Sequence, residues 1–514
     1  MTEIATLETA PMTPAEYLQR IRSSAVYNVA IKSPLEYAPV ISQRTGNEVF
    51  LKREDLQPVF SFKLRGAYAA MSRLTPAQLR RGVVAASAGN HAQGVALAAR
   101  QLSCSATIVV PVTTPEVKTR AIEALGATLV KFGDTYDDAY AHARELEALH
   151  NFVFVHPYDD PDVIAGQGTI GLELDEQLPA DCSAVFVAIG GGGLISGIAL
   201  AIKQLRPGIK VIGVEPEDSD AMFLSLQAGE RIRLDRVGIF ADGVAVKLVG
   251  AETFRIAQDW VDEVIVVSND AICAAVKDVF EDRRAVLEPA GALAIAGLKE
   301  YVARERLSGQ KLAAVACGAN VNFDRLRHIS ERAALGEHSE AILAVRIPER
   351  PGSFRQLCDC LGNRSITEFN YRMGDSEEAT IFVGIHIKSA AEVDVILAEL
   401  QAHGFEAFDL TGNEIAKTHV RHMVGGKSSH ATNERLFHFD FPERPGALSN
   451  FLNSLGQSWN ISLFHYRNHG ADKGRVLCGI QVPVSSQEDF SRFLVELGYD
   501  QTEETDNLAL RLFL

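Results

Sequence analysis

The feature that most limits what this chain can fold into is a regular alternation of short apolar runs and helical stretches between residues 82 and 316. Residues 82–86, 106–111, 127–131, 152–155, 184–189, 210–215, 263–267 and 312–316 are rich in Val, Ile and Ala and read as buried strands. Helical patterns fall between most of them, at 95–100, 117–125, 135–149, 195–204, 270–280 and 293–298. Strands alternating with helices of this length form a parallel sheet with helices over its faces. The fold class is therefore α/β, with open, mostly parallel twisted sheets, and ligands are expected beyond the C-terminal ends of the strands.

The stretch at 61–67, Ser-Phe-Lys-Leu-Arg-Gly-Ala, sets Lys63 where a loop that follows Pro58 turns into a helix. A lysine there lies near the positive end of the helix dipole, which disfavours its ammonium form and frees the amine as a nucleophile. A solvated surface lysine is the plain alternative. The strand at 82–86 runs into Ser87, Ala88, Gly89, Asn90 and His91, then Ala92-Gln93-Gly94. A strand, a small polar turn and a helix aim backbone N–H groups at an anion. The strand at 184–189 empties into Gly190, Gly191, Gly192 and Gly193, followed by Leu194. Four glycines there let the backbone close around a phosphate. The run is neither GxGxxG nor a P-loop, so a nucleotide is not the expected ligand. The last strand ends at Cys317-Gly318-Ala319-Asn320. Together these pieces suit pyridoxal 5′-phosphate: Lys63 for its aldehyde, the glycines for its phosphate, Cys317 beside its ring nitrogen. A thiol there would not keep that nitrogen protonated, which favours elimination over transamination. Glu215, with Glu217, Asp218, Ser219 and Asp220, offers a candidate cation site, with a solvated turn as the alternative.

The formal net charge of −16 comes without a cluster of Lys or Arg, against a nucleic-acid partner. The seven cysteines are odd in number, scattered and free of CxxC pairs, against a disulfide framework or a structural zinc. No signal peptide or membrane span is expected, and a reducing cytoplasm fits.

A change of style at 329–342 introduces a repeat. Pro348-Glu349-Arg350-Pro351-Gly352 recurs as Pro442-Glu443-Arg444-Pro445-Gly446, and Tyr371-Arg372 recurs as Tyr466-Arg467. Each copy reads as βαββαβ, an α+β ferredoxin-like plan. In the second copy the turn from Arg444 to Ala447 offers backbone N–H groups to an amino-acid carboxylate.

The chain as a whole resembles the biosynthetic threonine dehydratases, fold-type-II pyridoxal-phosphate enzymes with two regulatory ACT-like domains. The 61–67, 87–94, 190–194 and 317–320 stretches and the paired Pro-Gly and Tyr-Arg repeats carry the likeness. The resemblance implies a catalytic part at 1–335 with a smaller subdomain near 55–155. It implies a linker at 336–344 and ACT-like domains at 345–425 and 436–514. Lys63 is then the Schiff-base lysine. Phe62 and Asn90 flank the cofactor ring, and Gly190 to Leu194 hold its phosphate. Cys317 stands where the family often has serine. Ser87, Ala88, Gly89, Asn90 and His91 receive the substrate carboxylate. The implied reaction converts L-threonine, and L-serine, to 2-oxobutanoate or its homologue and ammonia, with isoleucine inhibiting and valine relieving, in a homotetramer. Tyr371, Arg372, Tyr466 and Arg467 are candidate effector contacts, with strand packing as the alternative. A serine racemase or another β-eliminase of the same fold, and a non-catalytic amino-acid sensor, are the competing readings.

Overall fold

The computed structural model describes residues 11–506, apart from 239, 324, 363, 374–376, 419, 423–427, 429, 443–450, 452–458, 468–472 and 500. Two compact units divide the chain, Met1–Gly336 and Glu337–Leu514.

The first unit holds β1 (Leu35–Tyr37), β2 (Glu48–Arg53), β3 (Val83–Ala86), β4 (Ala106–Val110) and β5 (Thr128–Lys131). It continues with β6 (Val153–Phe154), β7 (Cys182–Ala188), β8 (Lys210–Pro216), β9 (Glu263–Val267) and β10 (Lys311–Ala316). A larger sheet has the order β1-β2-β10-β7-β8-β9 and is parallel except for β1. A smaller sheet, β5-β4-β3-β6, is parallel throughout. Each has its own core. Val185, Phe186, Ile212 and Val315 are buried in the first, and Val83, Ala85, Ile108 and Val110 in the second. Buried on both faces, such strands read as continuous apolar runs, which is why they were visible in the sequence.

Two helices begin earlier than their apolar period suggests. The helix Pro161–Gln177 starts where Asp160 accepts from the N–H groups of Asp162 and Val163, at 2.8 and 3.1 Å. The helix Asn90–Gln101 starts at Asn90 itself. Both pack against the helix Lys63–Met71 through glycine. A Cβ on Gly94 would lie 3.0 Å from Leu64 N, and one on Gly166 would lie 2.6 Å from Arg65 O. Neither position admits a side chain, so the lysine helix is held between two neighbours at backbone distance. Beneath it Arg65, fully buried, spends all five of its N–H donors. They go to Glu54 twice (2.8 Å each), Glu173 (2.7 Å), Thr169 (3.1 Å) and Ile31 O (3.1 Å). Lys52 adds a second cation on Glu173 at 2.5 Å.

The second unit holds β11 (Glu340–Pro348), β12 (Ile366–Arg372), β13 (Glu378–His386), β14 (Glu406–Asp409), β15 (Glu434–Pro442), β16 (Asn460–Arg467), β17 (Lys473–Gln481) and β18 (Gln501–Glu503). With the helices Ser353–Leu361 and Ala391–Ala402 the first copy is βαββαβ, as its pattern suggested. In the second copy the turn expected from Arg444 to Ala447 lies outside the described residues. The two copies form one antiparallel sheet, β14-β11-β13-β12-β16-β17-β15-β18. The join is β12 on β16, with Phe369 opposite Tyr466 and Tyr371 opposite Phe464. The linker expected over 336–344 is corrected: β11 starts at Glu340, and Ala341, Ile342 and Leu343 are fully buried. Paired by β13 on one side and β14 on the other, β11 is a central strand rather than a connector. Among the described residues no helix is long and apolar enough to cross a membrane, and all seven cysteines are free.

Candidate active site

Strand ends and the starts of four helices, at Lys63, Asn90, Gly193 and Pro289, meet at an open cleft of about 550 Å³ in the first unit. Lys63 lies on its wall. The loop before it is stitched to the end of β10, by Phe62 N to Cys317 O (3.3 Å), by Ala319 N to Phe60 O (2.9 Å) and by a bridge between Ser61 and Gly318. Phe60 takes a φ of 54° in this loop, a left-handed conformation that costs roughly 1–2 kcal/mol. The stitching holds it there. The amine of Lys63 is pushed below its usual range by burial, against the opposing pull of Cys317 and Glu288. The direction matches the expectation, but desolvation rather than the helix dipole is its cause.

The glycine turn after β7 lines the same cleft. A Cβ on Gly191 would stand 2.1 Å from Cγ of Tyr158, and one on Gly190 would stand 2.9 Å from Cα of Val244. Gly192 has a φ of 96°. Thr253 Oγ1 and Gly250 N both reach the carbonyl of Gly191, at 2.6 and 3.3 Å. With this carbonyl turned aside, the turn leads into the helix Gly193–Leu205, whose start offers N–H groups to an anion.

Phe62, Lys63, Asn90, Gly190, Gly191, Gly192, Gly193, Leu194 and Cys317 all line this cleft, so the proposed cofactor set is brought together. Of the proposed substrate set only Asn90 lines it. Ser87, Ala88 and Gly89 stand partly exposed at the helix start, with Gly89 N donating to Ser87 Oγ at 3.2 Å. His91 turns away, its Nε2 bound to Val155 O at 2.9 Å. A carbonyl only accepts, so this nitrogen carries the proton. Burial drives the His91 ring down to about 3, which keeps it neutral. The Cys317 thiol donates to Ala290 O at 3.3 Å, and burial holds it well above its usual range. It is therefore a neutral group.

Three lining residues had no signal that sequence reasoning used. Tyr158 forms the aromatic wall on Gly191, with its hydroxyl donating to Leu248 O at 3.2 Å. Gln167 lines the cleft from the helix Pro161–Gln177. Glu288, at the start of the helix Pro289–Glu305, accepts from Asn90 Nδ2 at 2.6 Å, and burial pushes its carboxyl up to about 7. A glutamate before Pro-Ala-Gly reads as an ordinary helix opening. Only its burial marks it.

Glu215 is corrected from a solvated turn. It is fully buried and caps the helix Ala221–Ala228, accepting from Met222 N and Phe223 N at 2.9 and 2.7 Å. Among the described residues no group of three or more metal-ligating side chains gathers. In the second unit Tyr371 is buried and bonded to Glu349, Arg372 pairs with Glu434, and Tyr466 is buried in the β12–β16 seam. Arg467 stands on β16 opposite Glu368.

A half-buried lysine and a glycine anion cradle lining one cleft at the strand ends of a parallel sheet are the site expected of the fold-type-II class of pyridoxal-phosphate-dependent enzymes. Residues 27–318 match the family model described by that name. Residues 331–420 and 425–514 each match the model of the C-terminal regulatory domain of threonine dehydratase. The biosynthetic L-threonine dehydratase of Burkholderia multivorans is 54% identical over 98% of this chain and all of its own length. That of Escherichia coli is 52% identical over 97% of each. The solved structure of the processed form of threonine deaminase isoform 2 from Solanum lycopersicum aligns with a TM-score of 0.61 at 50% identity. It covers 62% of this chain and 93% of that one. Maize serine racemase aligns at 0.57 and 31% identity, over 63% and 98%. The chain belongs to the biosynthetic threonine dehydratase family.

Proposed function

We propose that this chain is a threonine ammonia-lyase that converts L-threonine to 2-oxobutanoate and ammonia, the water lost in the elimination being returned when the product enamine is hydrolysed, and handles L-serine likewise. The observation that carries this reading is that Lys63, its amine pushed below its usual range by burial, and the Gly190–Gly193 turn line one cleft. The residues fit pyridoxal 5′-phosphate, because the glycine turn and the start of the helix Gly193–Leu205 line the same cleft as Lys63 and offer it backbone N–H groups. When bound, that group supplies an aldehyde for an amine and a conjugated sink for the electrons of a broken Cα–H bond. The backbone N–H groups of Gly190 to Leu194 hold the phosphate. Phe62, Asn90 and Cys317 border the ring, and the neutral thiol of Cys317 leaves the ring nitrogen unprotonated. The turn from Ser87 to Asn90 receives the substrate carboxylate. Lys63, its amine kept neutral by burial, takes the proton from Cα.

The second unit binds the effectors, isoleucine as inhibitor and valine as antagonist, and its matched regulatory repeats support that role. Tyr371, Arg372, Tyr466 and Arg467 stand as the contacts. Tyr371 and Arg372 exchange Glu349 and Glu434 for the ligand. The assembly is a homotetramer in the cytoplasm.

The test is release of 2-oxobutanoate from threonine, with and without isoleucine, joined to borohydride reduction and peptide mapping. The tag is expected on Lys63, and Lys63→Ala is expected to lose both tag and turnover. A tag on another lysine overturns the assignment.

A further inference from the structure

A side-chain amide has one accepting end and one donating end, and its neighbours decide which faces which way. At the cleft one chain of hydrogen bonds makes that decision without ambiguity. Asn320 lies 2.8 Å from Val59 O and 2.6 Å from the amide of Asn90. A main-chain carbonyl only accepts, so Asn320 must turn its NH₂ group to Val59. The same nitrogen reaches Asn90, so the atom of Asn90 that meets it must be the oxygen. The NH₂ group of Asn90 is thereby sent the other way, to Glu288 Oε1 at 2.6 Å. One of its two N–H groups is spent there. The other has no second partner among the described residues, on a side chain that lines the cleft beside Lys63.

The surroundings keep this arrangement open. A Cβ on Gly318 would stand 2.3 Å from Glu288 Oε1 and 3.5 Å from Asn90 Nδ2. Val59 precedes Phe60 in the lysine loop, and that loop is tied to Ala319, next to Asn320. Turning Asn90 over would set its oxygen against Glu288 Oε1 and its NH₂ against that of Asn320. Both bonds would be lost and two like poles opposed.

We infer that Asn320 is a positioning residue that fixes the amide of Asn90 so that it presents an N–H, not a carbonyl, to the cofactor. The group best met by that N–H is an oxyanion on the ring, so Asn320 acts on the bound cofactor through Asn90. This rests on the cofactor reading given above for Lys63 and Asn90.

The test is Asn320→Asp in the full chain. The carboxylate has the same shape and no donor, so it repels Val59 O and draws the NH₂ of Asn90 toward itself. Apoenzyme titrated with pyridoxal phosphate is expected to bind at least tenfold more weakly, and the visible band of the bound cofactor is expected to fall relative to its near-ultraviolet band. Asn320→Ala removes the donor without adding repulsion and is expected to shift both readouts the same way by less. It serves where Asn320→Asp does not fold. Wild-type affinity and band ratio in either folded variant overturns the inference. Borohydride tagging of the wild type separates this failure from that of its premise. A tag on Lys63 with unchanged variants sinks only the role of Asn320, whereas no tag on Lys63 sinks the cofactor reading itself.

Discussion

Arg65→Met tests whether the buried charges under the lysine helix form one balanced set. Arg65 and Lys52 carry two positive charges and Glu54 and Glu173 two negative ones, each at most 1% exposed. Removing Arg65 leaves Glu173 with Lys52, Tyr27 and Ser33 N. Glu54 keeps only the neutral donors Ser33 and Gln57. The uncompensated charge therefore falls on Glu54. Breaking a buried pair in this way costs about 3–5 kcal/mol. With a urea slope of ~3 kcal/mol/M or steeper, the unfolding midpoint falls by roughly 1 M. The two tryptophans, Trp260 and Trp459, sit one in each unit. Fluorescence of Trp260 in a Trp459→Phe background therefore follows the first unit alone. Adding Glu54→Gln to Arg65→Met is expected to recover most of the loss, because it removes the orphaned charge. A loss below about 1 kcal/mol, or no recovery in the double variant, would refute the balance.

Gly191→Ala is expected to weaken cofactor binding at least tenfold, about 1.4 kcal/mol, since the added carbon meets Tyr158 at 2.1 Å. Tyr158→Ala added to it should restore part of the affinity in a cofactor titration, and no restoration counts against the steric cause. Glu215, raised by burial to about 8, takes up a proton on folding across the window between the ordinary carboxylate value and that point. Its stability contribution is full below this window and lost as pH rises through it. Melting temperatures of wild type are thus expected to fall relative to Glu215→Gln from pH ~5.5 to ~8.5, and parallel curves would exclude the effect. Truncation after Gly336, the boundary of the first unit, is expected to leave turnover intact and isoleucine without effect. Inhibition that survives would put the effector site in the first unit.

What could be read from the sequence was local. Parallel strands buried on both faces announce themselves as apolar runs, and Lys63 and the glycine turn each sit within one strand-to-helix junction. The helix that starts at Asn90 was placed from residue 95 because polar Asn90, His91 and Gln93 interrupt the apolar period that marks a helix. His91 follows Asn90 in the same motif yet faces away, because successive helical residues point about 100° apart. Tyr158, Gln167 and Glu288 were missed because nothing local tells which of many turns packs against a cleft. The repeat showed two copies of one unit. That β12 and β16 pair across the copies is a long-range contact with no mark in either copy.

That seam also constrains how the duplicated region can evolve. Split apart, each copy would bare a full-length strand with its amide groups unpaired and Phe369, Tyr371 or Phe464 uncovered, a template for indiscriminate aggregation. Neither half can be discarded or moved to another gene without leaving such an edge behind. The duplicates are free to drift apart everywhere except along this shared border, where a change in one must be answered by the other.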